Sequence, residues 1–199
     1  DLDLPVGNRI HVVVAPTQEL FHTLQPGSLP DWADGTAWPH RGLIFLRAPR
    51  LRGAATDSLE TVLEHEVVHI LLGRAFGPRP VPRWLQEGVA QLKSGEYTAE
   101  TTATLARGIL GDNLMSLHEL SRGFPVNALR AQLAYAQSAD FVAYIQNTHG
   151  KEAINTVIRE MAGGERFGAS LRIATGSYVD DLDVAWRARL QSSPLGLSP

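Results

Sequence analysis

Residues 57–73 read DSLETVLEHEVVHILLG, and the periodicity of this stretch sets a helix at the centre of the fold. Asp57, with Glu60 three residues on, has the form of a capping box. The helix it opens is expected to run to about Leu72, with Gly73 as its stop. Leu63, Val67, Ile70 and Leu71 recur at helical spacing opposite His65 and His69, so the helix can bury its back and turn the two imidazoles toward a cleft.

The stretch also carries chemistry. His65 and His69 are four residues apart, about 40° apart around a helix axis, so both rings reach one point from one face. Glu66 falls between them in angle, close enough to touch a water at that point without having to ligate the ion itself. This is the arrangement of a zinc-dependent hydrolase: two imidazole ligands and a carboxylate general base. A five-residue pattern of this kind arises by chance in such a composition on the order of once in a hundred chains, so a third ligand is needed to make the case. Glu87 supplies it. It lies eighteen residues after His69 in PRWLQEGVA (82–90), on a second helix expected from Pro82 to Gly95. Leu85, Val89 and Leu92 fall opposite Glu87, and Gly88 and Ala90 are small enough to let another helix approach. Two neutral His, one Glu and a water would leave a zinc site at net +1, which favours ionisation of that water. One zinc per chain is therefore the expected cofactor, held by His65, His69 and Glu87.

Outward from this pair, the N-terminal side looks mixed and the C-terminal side helical. Residues 10–15 (IHVVVA) and 43–47 (LIFLR) read as strands, the latter ended by Pro49. Thr17 to Leu24 has a helical pattern stopped by Pro26-Gly27. Residues 26–42 read as loop with a short strand near Thr36–Trp38. Helices are expected near 98–110, 115–122, 127–148, 150–162, 165–174 and 178–190, separated by Gly and Pro, with a frayed tail from Ser192. The reading is an α+β fold of 199 residues. Residues 1–95 form a small mixed sheet with the active-site and glutamate helices, and residues 96–199 form a helical lobe of the same catalytic domain.

Composition narrows the function. A net charge of -3 and the absence of basic runs exclude nucleic acid as the expected partner. With no cysteine, any metal must be held by His, Asp or Glu. No apolar run approaches the roughly 18–20 residues that a membrane span needs. The chain begins without Met, so a signal or anchor could have been removed. Composition leaves the oligomeric state open.

HExxH, a spacer of seventeen residues and WLQEGVA together resemble the gluzincin metallopeptidases. The last segment is similar to the Trp-Leu-Asn-Glu-Gly-Phe-Ala signature of aminopeptidase N-like enzymes, and more similar still to compact bacterial peptidase MA-like domains. The resemblance implies a zincin-like fold and a peptide or protein substrate; an extracytoplasmic or secreted location is the expectation, with a cytoplasmic one left open. It also implies two further roles. YAQSADFVAYI (135–145) looks like the helix whose leading tyrosine, here Tyr135, donates to the tetrahedral oxyanion, whereas Phe141 and Tyr144 look like packing residues. Gly35, Thr36 and Ala37 match the edge strand that pairs with substrate backbone. Both have plainer readings, a core tyrosine and an ordinary loop. His11, His22, His40, His118 and His149 have no ligand spacing; Arg79 and Arg83 lie beside the second helix, where they can face the cleft, with a solvated role as the expectation. A zinc-binding module without turnover and a zinc hydrolase of non-peptide bonds share these ligands and stay open. Glu66, which a structural zinc would not need, favours the peptidase.

Overall fold

A computed structural model describes residues 2–25, 30–48 and 58–192. Three strands form the sheet: β1 (His11–Ala15), β2 (Gly35–Trp38) and β3 (Leu43–Arg47). β3 is central, parallel to β1 and antiparallel to β2, with Val13 opposite Phe45 and Ala37 opposite Ile44. The pleat sends alternate residues of β3 to opposite faces. Ile44 and Leu46 meet Val62 and Ile70 below, while Phe45 meets Phe21 of α1 (Gln18–Thr23) above. Because β2 sits at an edge, no strand among the described residues pairs with its outer side.

The helices follow in order: α2 (Leu59–Phe76), α3 (Arg83–Ser94), α4 (Ala99–Leu110), α5 (Leu117–Arg122), α6 (Ala128–His149), α7 (Ala153–Ala162), α8 (Phe167–Thr175) and α9 (Val179–Ser192). The expected small mixed sheet followed by a helical lobe is what the structure shows. α2 lies between the sheet and α3. It therefore buries two faces rather than one: Leu63, Val67 and Ile70 against β3, and Val68, Leu72 and Phe76 in the main core with α3. Leu71 also joins the main core instead of the sheet side.

Two boundaries of α2 differ from expectation. Its cap is Ser58, whose hydroxyl accepts from the Thr61 amide at 3.0 Å; Asp57 lies outside the described residues, as do Pro26, Gly27, Pro49 and the tail beyond Ser192. Gly73 does not stop the helix, which runs to Phe76 and ends at Gly77, φ 60°. The absence of a side chain at Gly73 serves packing instead, because a Cβ there would stand 2.3 Å from the Pro39 ring.

α3 is wedged between α2 and α6, with Trp84, Leu85, Val89 and Ala90 buried and Gly95 ending it in the left-handed region. Gly88 makes the wedge possible. A Cβ there would lie 2.4 Å from the Ser138 carbonyl oxygen and 2.6 Å from Val142, so α6 packs directly on the α3 backbone. In the helical lobe, fully buried Asp140 of α6 accepts from the Tyr97 hydroxyl, the Trp186 indole and the Arg189 guanidinium at 2.6–2.7 Å. One carboxylate thus ties α6 and α9 to the link between α3 and α4, and its three partners satisfy it where burial alone would be costly.

Candidate metal centre

α2 delivers His65, Glu66 and His69 one turn apart, and α3 crosses it to bring up Glu87. The His65 and His69 Nε2 atoms are 3.0 Å apart, and each is 3.2 Å from Glu87 Oε2. Around a tetrahedral ion with ligand bonds of about 2.0–2.1 Å, neighbouring ligand atoms would be separated by about 3.3–3.4 Å. Three edges of 3.0–3.2 Å are close to one face of that tetrahedron, which leaves the fourth position toward the cleft. Among the described residues this His65–His69–Glu87 group is the cluster of three that could hold a metal ion.

The protonation pattern supports the same occupant. His65 Nδ1 lies 2.5 Å from Glu96 Oε2, so Nδ1 donates and the neutral ring leaves its lone pair on Nε2. That lone pair faces a carboxylate oxygen and a second imidazole nitrogen. Such a convergence of donors asks for a cation between them. Without a metal, a proton takes part of that role. Burial opposes charge on His65, but hydrogen bonds to Glu87 and Glu96 outweigh it and raise its pKa well above 6.5. Burial likewise opposes charge on Glu87, yet His69, Arg83 and His65 hold its carboxyl well below the usual carboxylate range.

Glu66 is buried too, and burial raises its pKa despite the neighbouring His69 and His65. Its carboxylate is wedged under β2. A Cβ on Gly35 would stand 2.8 Å from Glu66 Oε1 and 2.9 Å from its Cγ, so only glycine lets the edge strand pass this close. Gly35, Thr36 and Ala37 all line the cleft, of about 610 Å³, that opens on His65, Glu66, His69 and Glu87. The Thr36 hydroxyl donates to the Gln25 side-chain oxygen at 2.9 Å, and no described strand pairs with the outer edge of β2. Tyr135 also lines the cleft, half-buried, its ring centroid 6.4 Å from that of His65; burial and the Glu87 charge raise its phenol pKa.

Two charged residues have roles that differ from the expected ones. Arg83 is not simply solvated: one turn before Glu87, it places a guanidinium nitrogen 2.5 Å from Glu87 Oε1 and lines the cleft. Arg79 is exposed, but it donates to the Phe76 and Met161 carbonyls and so pins the end of α2 to α7. Glu87 itself is fully buried. Leu85 and Val89 are buried behind it as expected, with Leu92 partly so. Glu96 has no helical spacing from the ligands, and spacing alone does not point to it. Its only sequence signal is an acid directly after Gly95, the end of the helix that carries Glu87.

A family model for the Peptidase MA superfamily matches residues 18–192. The chain belongs to the Peptidase MA superfamily. No curated protein and no solved structure matches it. For this Peptidase MA chain the match takes in β2, β3, the two helices that carry His65, His69 and Glu87, and the helical lobe, while β1 precedes it. Among its described residues no helix is long and apolar enough to cross a membrane.

Proposed function

We propose that this chain is a zinc-dependent peptidase of the gluzincin type, cleaving peptide bonds in the cleft between β2 and the helical lobe. The observation that carries the reading is the convergence of His65 Nε2, His69 Nε2 and Glu87 Oε2 within 3.2 Å, with the Glu66 carboxylate buried beside them under an open strand edge. Zinc, when bound there, supplies a Lewis acid for the scissile carbonyl and lowers the pKa of an attacking water.

The chain's own groups do the rest. The outer edge of β2, which no described strand pairs, lays an extended substrate backbone across the site by strand addition. Glu66, made more basic by burial, takes the proton of the attacking water and delivers it to the departing amine nitrogen. Tyr135, kept protonated by burial, donates a hydrogen bond to the oxyanion that develops on the carbonyl. Arg83 neutralises the second oxygen of Glu87, which keeps Oε2 directed at His65 and His69. Glu96 fixes the tautomer of His65.

The test is cleavage of a peptide library by wild-type protein and by Glu66→Gln, with zinc content measured on both. Cleavage by the wild type that disappears in a fully zinc-loaded Glu66→Gln is the expected result. Full zinc occupancy with no cleavage by the wild type would replace the peptidase with a zinc-binding interaction module or a hydrolase of another bond.

A further inference from the structure

One wall of the cleft is apolar, and neither ligand binding nor proton transfer uses it. Trp32, in the segment before β2, reaches across to the helical lobe and donates its indole N–H to the Val126 carbonyl at 2.9 Å. With that N–H satisfied, the ring can face the cleft at no polar cost. The ring packs edge-on against Tyr135 at a centroid distance of 6.2 Å, and Phe124 packs edge-on against Tyr135 from another side at 4.8 Å. Tyr135 in turn stands beside His65. Val126 is 77% exposed although it lines the same cleft. The result is a pre-assembled wall of two aromatic rings and an aliphatic side chain, held next to the ligand set by contacts from both lobes. The opposing charge pattern is clear. Arg83 and Arg122 line the cleft, and the lining carboxylates Glu66 and Glu87 are buried against the two imidazoles.

We propose that Trp32, Phe124 and Val126 form a side-chain subsite for a large apolar residue, aromatic or aliphatic, adjacent to the bond that is cleaved. The substrate class is therefore peptide segments carrying Phe, Tyr, Trp, Leu or a similar residue beside the scissile bond. This subsite rests on the reading of the cleft as a peptide site. The wall discriminates by burial: a phenyl or isobutyl group sheds water against it, a methyl group sheds little, and a lysine would meet the arginines. A cleft open to solvent realises about half of a full burial, which corresponds to about tenfold in affinity between Phe and Ala.

The experiment uses the Glu66→Gln chain with zinc present, so that binding is read without turnover. Blocked pentapeptides, alanine throughout except for a central Phe, Leu, Ala, Lys or Asp, are titrated by calorimetry. Their uniform flanks let the variable residue slide into register with the wall. The Phe and Leu peptides are expected to bind about tenfold tighter than the Ala peptide. That preference should collapse in Trp32→Ala, and also in Val126→Asp, whose exposed position keeps folding out of the question. Equal binding of the Phe and Ala peptides, or binding of neither, overturns the subsite. So does tightest binding of the Asp peptide, which would assign recognition to Arg122, or a preference unchanged in both variants. A Phe preference in a chain that cleaves no library would sink the hydrolytic reading and leave the subsite standing. Library cleavage with no apolar preference would do the reverse.

Discussion

Replacing Glu96 by Ala and by Gln separates a residue that touches no substrate from the centre it orients. Its carboxylate lies 2.5 Å from His65 Nδ1, and its side chain is only 12% exposed, so the hydrogen bond is charge-assisted and little screened. The backbone is anchored independently. The Thr101 hydroxyl donates to the Glu96 carbonyl at 2.7 Å, and the Glu96 amide donates to the Gln91 carbonyl at 3.0 Å. Truncation should therefore leave α3 and α4 in place while freeing the His65 ring to rotate and change tautomer. Loss of such a partner typically weakens metal binding about 10–100-fold, equivalent to about 1.4–2.7 kcal/mol. Glu96→Gln keeps an acceptor but loses the charge, and belongs near the lower figure; Glu96→Ala belongs near the upper. The assay is zinc competition against a chromophoric chelator, with circular dichroism confirming an unchanged helical content. Zinc affinity identical to wild type in both variants would refute the assignment of Glu96 as the group that fixes His65.

Three further outcomes follow from the geometry. Gly88→Ala drives a methyl group into the Ser138 backbone, which cannot move without shifting α6; a loss of about 2 kcal/mol, or about 4–8 °C in melting temperature, is expected, together with weaker zinc binding through displaced Glu87. An unchanged melting curve would mean that α3 and α6 are not in direct backbone contact. Tyr135→Phe should lower kcat about 10²–10³-fold with KM and zinc content little changed, and undiminished turnover would remove the hydroxyl from the mechanism. The raised pKa of His65 sets a pH dependence for the metal-free chain. A folded-state pKa above the unfolded one stabilises fully below the unfolded value near 6.5, and the contribution is lost as pH rises through the folded value. Metal-free protein should thus melt at lower temperature as pH rises above neutrality. Zinc affinity should rise over the same window, because zinc replaces that proton; opposite trends, read by denaturation and competition titration, would contradict the His65 assignment.

How legible the molecule was depends on the range of the interaction. β3 and the two ligand-bearing helices follow from local periodicity and capping chemistry, and β3 occupies Leu43–Arg47 as expected. The cap of α2 falls one residue later than expected because Asp57 and Ser58 are both good caps, and only the path of the chain selects between them. Gly73 misleads for a different reason. A glycine near a plausible helix end signals a stop, whereas here it answers to Pro39, thirty-four residues away in sequence. His65, Glu66, His69 and Glu87 are legible because helical spacing puts two imidazoles on one face and places the partner carboxylate on a neighbouring amphipathic segment. Arg83 was readable in principle, standing four residues before an acid on a helix. Glu96 carried only the weak signal of an acid just past a helix end, and Trp32 none, since each acts from a loop whose position is set by packing between elements. Asp140 carries a weak signal of its own, an acid directly before the apolar run Phe141–Ile145.

The central claim is that His65, His69 and Glu87 together hold one catalytic zinc, and metal stoichiometry tests it most directly. Elemental analysis of dialysed protein should find about one zinc per chain in the wild type and in Glu66→Gln, and none in His65→Ala or Glu87→Ala. No zinc in the wild type, or zinc retained when either ligand is removed, would contradict the account.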